Sequence, residues 1–553
     1  MKISIIKSKI KTLITVTVSC LLFSCQTEEK VTLYFNAEVI TMAEEGGVVG
    51  AMAVQSGVIV GIGSYELLKS QFPKASQVDL EGKTVIPGIV DSHVHAHEFG
   101  QQTLKANLEG TTTVDEMVER LRVFFPNPAK GEWLLGFGWD EGEWASIGYP
   151  DRAALDLAFP DNPVKLQALH GFAGFYNGKA LEIAGIDSST PEPEVGAIIR
   201  RENGEPTGVL ETSAQQLVNR FVPEETVDDA KRAILSGLEK LKSKGIAAVH
   251  EAGVTKTSLQ AYQELDDANL LPIRVYGMLN GNDDEMMEEW FEKGPEMDLE
   301  RKFFVKGIKV FYDGSLGSRT ALLFAPYADN PKAARMTERI SISKIKNLAF
   351  RATEKEFQLA IHAIGDLGND RILDVYEEAI QRKPFDHRWR LEHAQVVYEN
   401  FYSRASDLGI WVSMQSSHAV GDRNWAEDRL GPTRIKHAYA WRNMLDHKVP
   451  FILNSDMPGE PWEPMQTLYF GVTRMDLEGN PPTGWYSTQA LTAEEALRAM
   501  TLDGAKSAFM EEMTGSLEVG KFADFVILSD NPLKVEPSKI KEIQVERIFV
   551  QGK

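Results

Sequence analysis

The chain has 553 residues, 43% apolar, 25% charged and 9% aromatic, a composition of soluble globular proteins with room for one large domain or two to three ordinary ones. Its 59 basic and 80 acidic residues leave a net charge of −21, which argues against nucleic acid or an anionic membrane surface as the main ligand. The two cysteines, Cys20 and Cys25, both lie near the N-terminus, so the rest of the chain can build no disulfide, thiolate metal site or cysteine nucleophile.

Residues 1–24 read as an export signal. Lys2, Lys7, Lys9 and Lys11 form a basic start, and Leu13–Phe23 is an apolar stretch too short to cross a bilayer comfortably. The segment "LFSC" at Leu22–Cys25 resembles a bacterial lipobox, which implies cleavage and lipidation at Cys25 followed by a tether over 25–30. Cys20 is the second choice, and an uncleaved anchor is the alternative. Loss of four lysines and no acids would take the charge from −21 to −25. The tail "QTEE" resembles acidic surface-export signals. The expectation is an exported lipoprotein of a Gram-negative-type bacterium, at the outer membrane, its periplasmic face or the cell surface. It would touch membrane only through its lipid.

Short Val/Ile-rich pieces punctuated by glycine follow: "VTLYFNAEVITM", "GAMAVQSGVIVGIG" and "QVDLEGKTVIPG". The C-terminus repeats that texture in "GSLEVGKFADFVILSDNPL" and "IKEIQVERIFVQGK". Residues 31–86 and 512–553 are therefore expected to form one small β-sandwich, unless they are two unrelated β pieces. Between them, eight apolar strands alternate with amphipathic helices: "TVIPGIVDSH", "IAAVHEA", "PIRVYGML", "FFVKGIKVFYDG", "QLAIHAIGD", "WRLEHAQVV", "IWVSMQSS" and "VPFILNSDMP". That count predicts an α/β fold, a (β/α)8 TIM barrel over 87–511. The stretch from about 101 to 222 is too long for one crossover and reads as an insertion after the first strand, over the mouth.

Barrel enzymes carry their chemistry at the C-terminal ends of the strands. His93 and His95 close the first strand, and residues two apart on a strand share a face, so both imidazoles can reach one ion. His97 shares their parity but falls where the chain leaves the strand, and is expected not to be a ligand. His362 and His393 end the fifth and sixth strands, and Asp456 the eighth. Alternation points Lys309 into the barrel, where a lysine must be paired or neutralised. Carboxylation to a metal-bridging carbamate and a salt bridge to Asp313 or another carboxylate are both open.

These residues together resemble the amidohydrolase superfamily, and the resemblance narrows to the branch containing N-substituted formamide deformylase and exported relatives. The narrow markers are "GIKVFYDGSLGSRTALL", "IHAIGD", "LEHAQ", "VSMQSSHAVGDRNWAEDRLG", "AYAWRNMLD" and "NSDMP", in an order spanning about residues 80 to 530. The resemblance implies a metal-dependent hydrolase of non-peptide carbon–nitrogen bonds in a small-molecule substrate. His93, His95, Lys309, His362, His393 and Asp456 would hold one or two divalent ions, zinc foremost, with N6-carboxylysine at Lys309. Asp456 would serve as general base to a metal-activated hydroxide, aided by His418, and Arg319 and His418 would face substrate. Trp139, Asp140, Trp144, Trp425 and Trp462 lie in expected mouth segments, as substrate contacts or as lid packing. Hydrolysis of a carbon–oxygen or phosphoester bond and a non-catalytic ligand-binding lipoprotein are the competing readings.

Two departures bear on specificity. Met414-Gln415-Ser416 stands where the family usually shows "MQP", and "LHGFAGFYN" places Phe172 at the usual histidine position, with His170 two residues earlier.

Overall fold

The computed structural model describes residues 30–140, 149–169, 171–193, 196–332 and 338–553. The expected signal, Cys25, Trp144 and His170 lie outside them.

Eight parallel strands carry the molecule: β1 (Ile89–Val94), β2 (Ile246–Val254), β3 (Arg274–Asn280), β4 (Phe303–Phe311), β5 (Gln358–Ala363), β6 (Arg390–His393), β7 (Trp411–Gln415) and β8 (Phe451–Asn454). Each pairs with its neighbours in chain order. Their near-continuous burial matches strands covered on both faces, by helices outside and packed side chains within. Closure is made at the C-terminal rim, where a parallel bridge joins Val94 to Met457. There Asp456 N–H donates to His93 O at 3.0 Å and His95 N–H to Met457 O at 3.0 Å. The result is a nearly closed α/β barrel, as the strand count predicts.

The expected first strand divides at Gly88. Thr84–Pro87 pairs in the sheet of the chain ends, while Ile89–Val94 enters the barrel. A Cβ at Gly88 would sit 2.4 Å from Ala247 Cβ, so only glycine lets the chain pass between the two bodies. That first sheet has seven strands drawn from both ends, including Thr32–Ile40 and Phe525–Leu528. Tyr34, Met52 and Phe525 pack on one face, and Leu33, Ala51 and Leu68 on the other. The β pieces of the two chain ends thus join in one continuous hydrogen-bonded sheet.

Helix α1 (Ala96–Thr103) leaves β1 and packs on α2 (Val227–Ser243) almost backbone to backbone. A Cβ at Gly100 would lie 1.8 Å from Ala233 O. A capping box of Thr226 and Asp229 starts α2, and Lys240 and Lys242 close it against the helix dipole. Between α1 and α2 the chain builds a separate six-stranded sheet over Ala106–Glu211 with its own core, including Leu134, Trp139, Leu166 and Phe175. Helix α3 (Ala493–Ala499) also begins with a capping box, Thr492 and Glu495.

Candidate metal centre

The ends of β1, β5, β6 and β8 converge on one point. One ligand atom each from His93, His393 and Asp456 lies within 4.8 Å of the others. Asp456 is central: its carboxylate is 3.4 Å from His95 Nε2, 3.5 Å from His93 Nε2, and 3.8 Å from both His393 Nδ1 and His418 Nε2. The backbone is bent to allow this, with His393 at φ 76° and Asp456 at φ 55°, left-handed values that turn each side chain off its strand.

Three of the imidazoles are held by one ring nitrogen. His93 Nδ1 meets Glu392, His393 Nδ1 meets Gln415 Oε1 at 2.9 Å, and His362 Nε2 meets Gly314 O at 3.0 Å. Donation through those nitrogens leaves Nε2 of His93 and His393 and Nδ1 of His362 with free lone pairs. His362 Nδ1 is buried without a hydrogen-bond partner among the described residues. Burial, reinforced by the Lys309 charge, lowers His93 to about 4 and His362 to about 3. Burial and the neighbouring His362 hold His393 well below its ordinary value. His95 differs: burial lowers it, but Asp456 more than compensates and raises it. Burial alone would raise Asp456, yet His93, His95, His393 and His418 hold it well below the carboxylate range. The imidazoles of His93, His362 and His393, held neutral by burial and one of them with an orphaned nitrogen, stand beside an ionised carboxylate, the donor set of a divalent cation.

Lys309 is 1% exposed, with Nζ 3.1 Å from His93 Nε2 and over the Phe311 ring at 4.1 Å. Burial lowers it to about 8. The salt bridge to Asp313 does not form. Both Asp313 oxygens accept backbone N–H groups, those of Ile364, Gly365 and Leu322 at 2.9–3.0 Å.

Several residues that shape the centre escape a strand-end search. Arg390 pairs with Glu392 at 2.7 Å inside the barrel, its Nη2 reaching Ser92 O at 2.6 Å and its Nη1 reaching His250 Nδ1 at 2.9 Å. Gln415 is in turn fixed by Asn454 at 2.6 Å. Glu251 accepts the Ala96 and His97 amides at 2.6 and 3.2 Å, anchoring the N-terminus of α1 just past His95. Asp91 accepts from Ser455 Oγ at 2.6 Å, and burial raises it to about 7. A charged pair two residues apart in the otherwise apolar "RLEH" was the available signal for Arg390 and Glu392.

Above the centre lies a cavity of about 340 Å3. Phe311, Leu316, Ile364 and Trp425 form its apolar wall, and Gln395, His418, Asp422 and Glu460 its polar one. His418 Nδ1 is held by Gln395 at 2.8 Å. Ser416, in place of the family proline, donates to Thr467 O at 2.7 Å.

Other expected contacts fall elsewhere. Trp139 is buried in the core of the inserted sheet, its Nε1 donating to Leu166 O at 3.1 Å. The cause is a bulge at Gly138, φ 94°, which shifts the pairing between Phe137 and Trp139 and turns the indole inward. Asp140, half-buried beyond it, does not line the cavity. Arg319 pairs with Asp329 at 2.6 Å, and its neighbours Ser315, Leu316 and Gly317 line the cavity instead. Trp462 packs edge-on against Phe99. His97 turns away to Glu225 at 2.8 Å.

Comparison with known proteins agrees with this geometry. The chain is 31% identical over 529 residues to YtcJ of Bacillus subtilis, covering 93% of this chain and 97% of that one. It is 29% identical over 536 residues to N-substituted formamide deformylase of Arthrobacter pascens, covering 94% and 97%. An uncharacterised metal-dependent hydrolase from Pyrococcus horikoshii superposes with a TM-score of 0.76 at 27% identity, over 92% of this chain and 99% of that one. Residues 77–553 match the amidohydrolase family model, and the chain belongs to that family.

Proposed function

We propose that this metal-dependent hydrolase cleaves non-peptide carbon–nitrogen bonds of formamide-like or other amide substrates, with Asp456 as the proton carrier. The observation that carries the reading is the Asp456 carboxylate, ringed by four imidazoles at 3.4–3.8 Å on the floor of the cavity. The similarity to the Arthrobacter deformylase supports the choice of bond.

One ion would take His93, His95 and Asp456, a second His362 and His393, with Lys309 shared; a single ion would use His93, His95, one later histidine and Asp456. Zinc suits this nitrogen and oxygen set best. When bound, such an ion lowers the pKa of a coordinated water from about 15.7 towards 7 and polarises a carbonyl. Asp456 accepts the proton of the water that adds to the carbonyl carbon, then delivers it to the nitrogen as the carbon–nitrogen bond breaks. His418, held through Nδ1 by Gln395, presents Nε2 to the carbonyl oxygen. Lys309, buried without a carboxylate partner, adds as a neutral amine to carbon dioxide, releasing a proton and gaining the carboxylate two ions would share. Export on a lipid at Cys25 belongs to the same proposal.

The test measures bound metal alongside hydrolysis of formamides, acylated amines and cyclic amides. Amide turnover that falls about 10²–10⁴-fold in Asp456→Asn is expected. Metal without turnover on any amide, or turnover of esters alone, overturns the reading.

A further inference from the structure

A cavity larger than the one above the metal centre lies outside it. About 970 Å3 opens between one face of the inserted sheet and the α1–α2 side of the barrel. The register sets what that face presents. Ala106 pairs with Gly136, and Leu135 with Lys165, so Lys105, one residue ahead of the strand at Ala106–Asn107, comes level with Leu135 and Lys165 on the next two strands. Phe137 and Gln167 form the next row. At about 4.8 Å per strand, the two lysine backbones are about 10 Å apart with apolar side chains between them.

Both lysines are half-buried, and neither has a carboxylate or other acceptor in contact among the described residues. Glu98 and Glu225 lie only within electrostatic reach of Lys105, and each lysine is lowered by burial. The acids on the opposite bank are engaged. Glu225 accepts from His97 and Gln101, and Asp229 caps α2 and pairs with Arg232. Glu132 accepts the Ala129 amide, and Glu224 and Glu109 are exposed. Desolvating two unpaired ammonium groups beside leucine and phenylalanine is costly unless an anion completes the site. One segment borders both cavities: Asp456 and Glu460 line the one at the metal centre, and Pro458 and Gly459 line the groove.

We propose that this groove binds a carboxylate carried on an apolar body, the carboxylate between Lys105 and Lys165 and the body along Leu135 and Phe137. The ligand is either the distal end of the substrate, reaching over Pro458–Gly459, or a separate amphipathic acid. The site does not depend on which bond the metal centre cleaves.

Calorimetry of decanoate against the metal-loaded chain, with decan-1-ol as the neutral control, tests it. Saturable decanoate binding at one per chain, stronger than the alcohol, is expected. The Lys105→Met, Lys165→Met double variant should weaken it at least about tenfold with metal content unchanged, and the Lys105→Arg, Lys165→Arg pair should retain it. Where turnover is followed, decanoate that raises KM only with the lysines intact assigns the groove to the distal end of the substrate. Binding that leaves KM unchanged assigns it to a separate acid. Absence of saturable binding, equal binding by the methionine variant, or inhibition that persists in that variant overturns the proposal.

Discussion

Glu392 accepts a hydrogen bond from His93 Nδ1 in a position where both side chains are withdrawn from solvent. The carboxylate fixes which nitrogen of His93 carries hydrogen, and Arg390 fixes the carboxylate. Metal-ligating histidines held this way typically lose 10–100-fold in metal affinity when the outer partner is removed. Glu392→Gln is expected to lose about that much, read by competition with a chelator. An unchanged affinity would mean that the barrel packing alone orients the imidazole.

His97 shares a motif with His93 and His95 but bonds Glu225. His97→Gln should therefore keep the metal content of the parent protein, measured by elemental mass spectrometry. A lost ion would make His97 a ligand after all.

Lys309 has no carboxylate partner among the described residues and stands 3.1 Å from His93. Native mass spectrometry should find one added carbon dioxide and two ions in the parent protein, and neither the adduct nor full loading in Lys309→Met. A Lys309→Met protein with undiminished metal would refute the bridging carbamate.

At the rim, Glu495 is the N3 partner in the capping box of α3 and an ion-pair partner of Arg442. The Arg442 bond and the Thr492 amide lower its pKa from 4.5 to about 2. A depressed carboxylate stabilises the fold fully above its unfolded pKa, and that contribution fades as pH falls from 4.5 to about 2. Denaturant midpoints of the parent and Glu495→Gln should differ at neutral pH and converge in that window. Thr492→Ala, which removes the cap itself, should cost about 1 kcal/mol.

The eight strands were legible because buried parallel strands are long apolar runs, and the histidines and Asp456 that meet at the centre because each sits where such a run ends. The limits were local. Alternation counts Trp139 outward, and only the Gly138 bulge reverses it. Arg319 is polar in a marker segment, but whether it reaches a cavity or Asp329 depends on the path of a loop. Arg390 and Glu392 were hidden because charged residues in a strand ordinarily mean an exposed face; here they neutralise each other inside the barrel. Asp313 was the reasonable partner for Lys309 until backbone amides, invisible to a side-chain pattern, took both of its oxygens.

The seam between the first and last barrel strands orders events during synthesis. Asp91 and Ser455 are 364 positions apart in the chain, yet their hydrogen bond sits beside the ligands that β1 and β8 contribute. A nascent chain that has made His93 and His95 waits for most of translation before Asp456 exists to complete the set. Capture of an ion at His93, His393 and Asp456 would thus be a late event that reports a finished ring of strands. A truncated or stalled polypeptide would stay unloaded however well its earlier segments had folded.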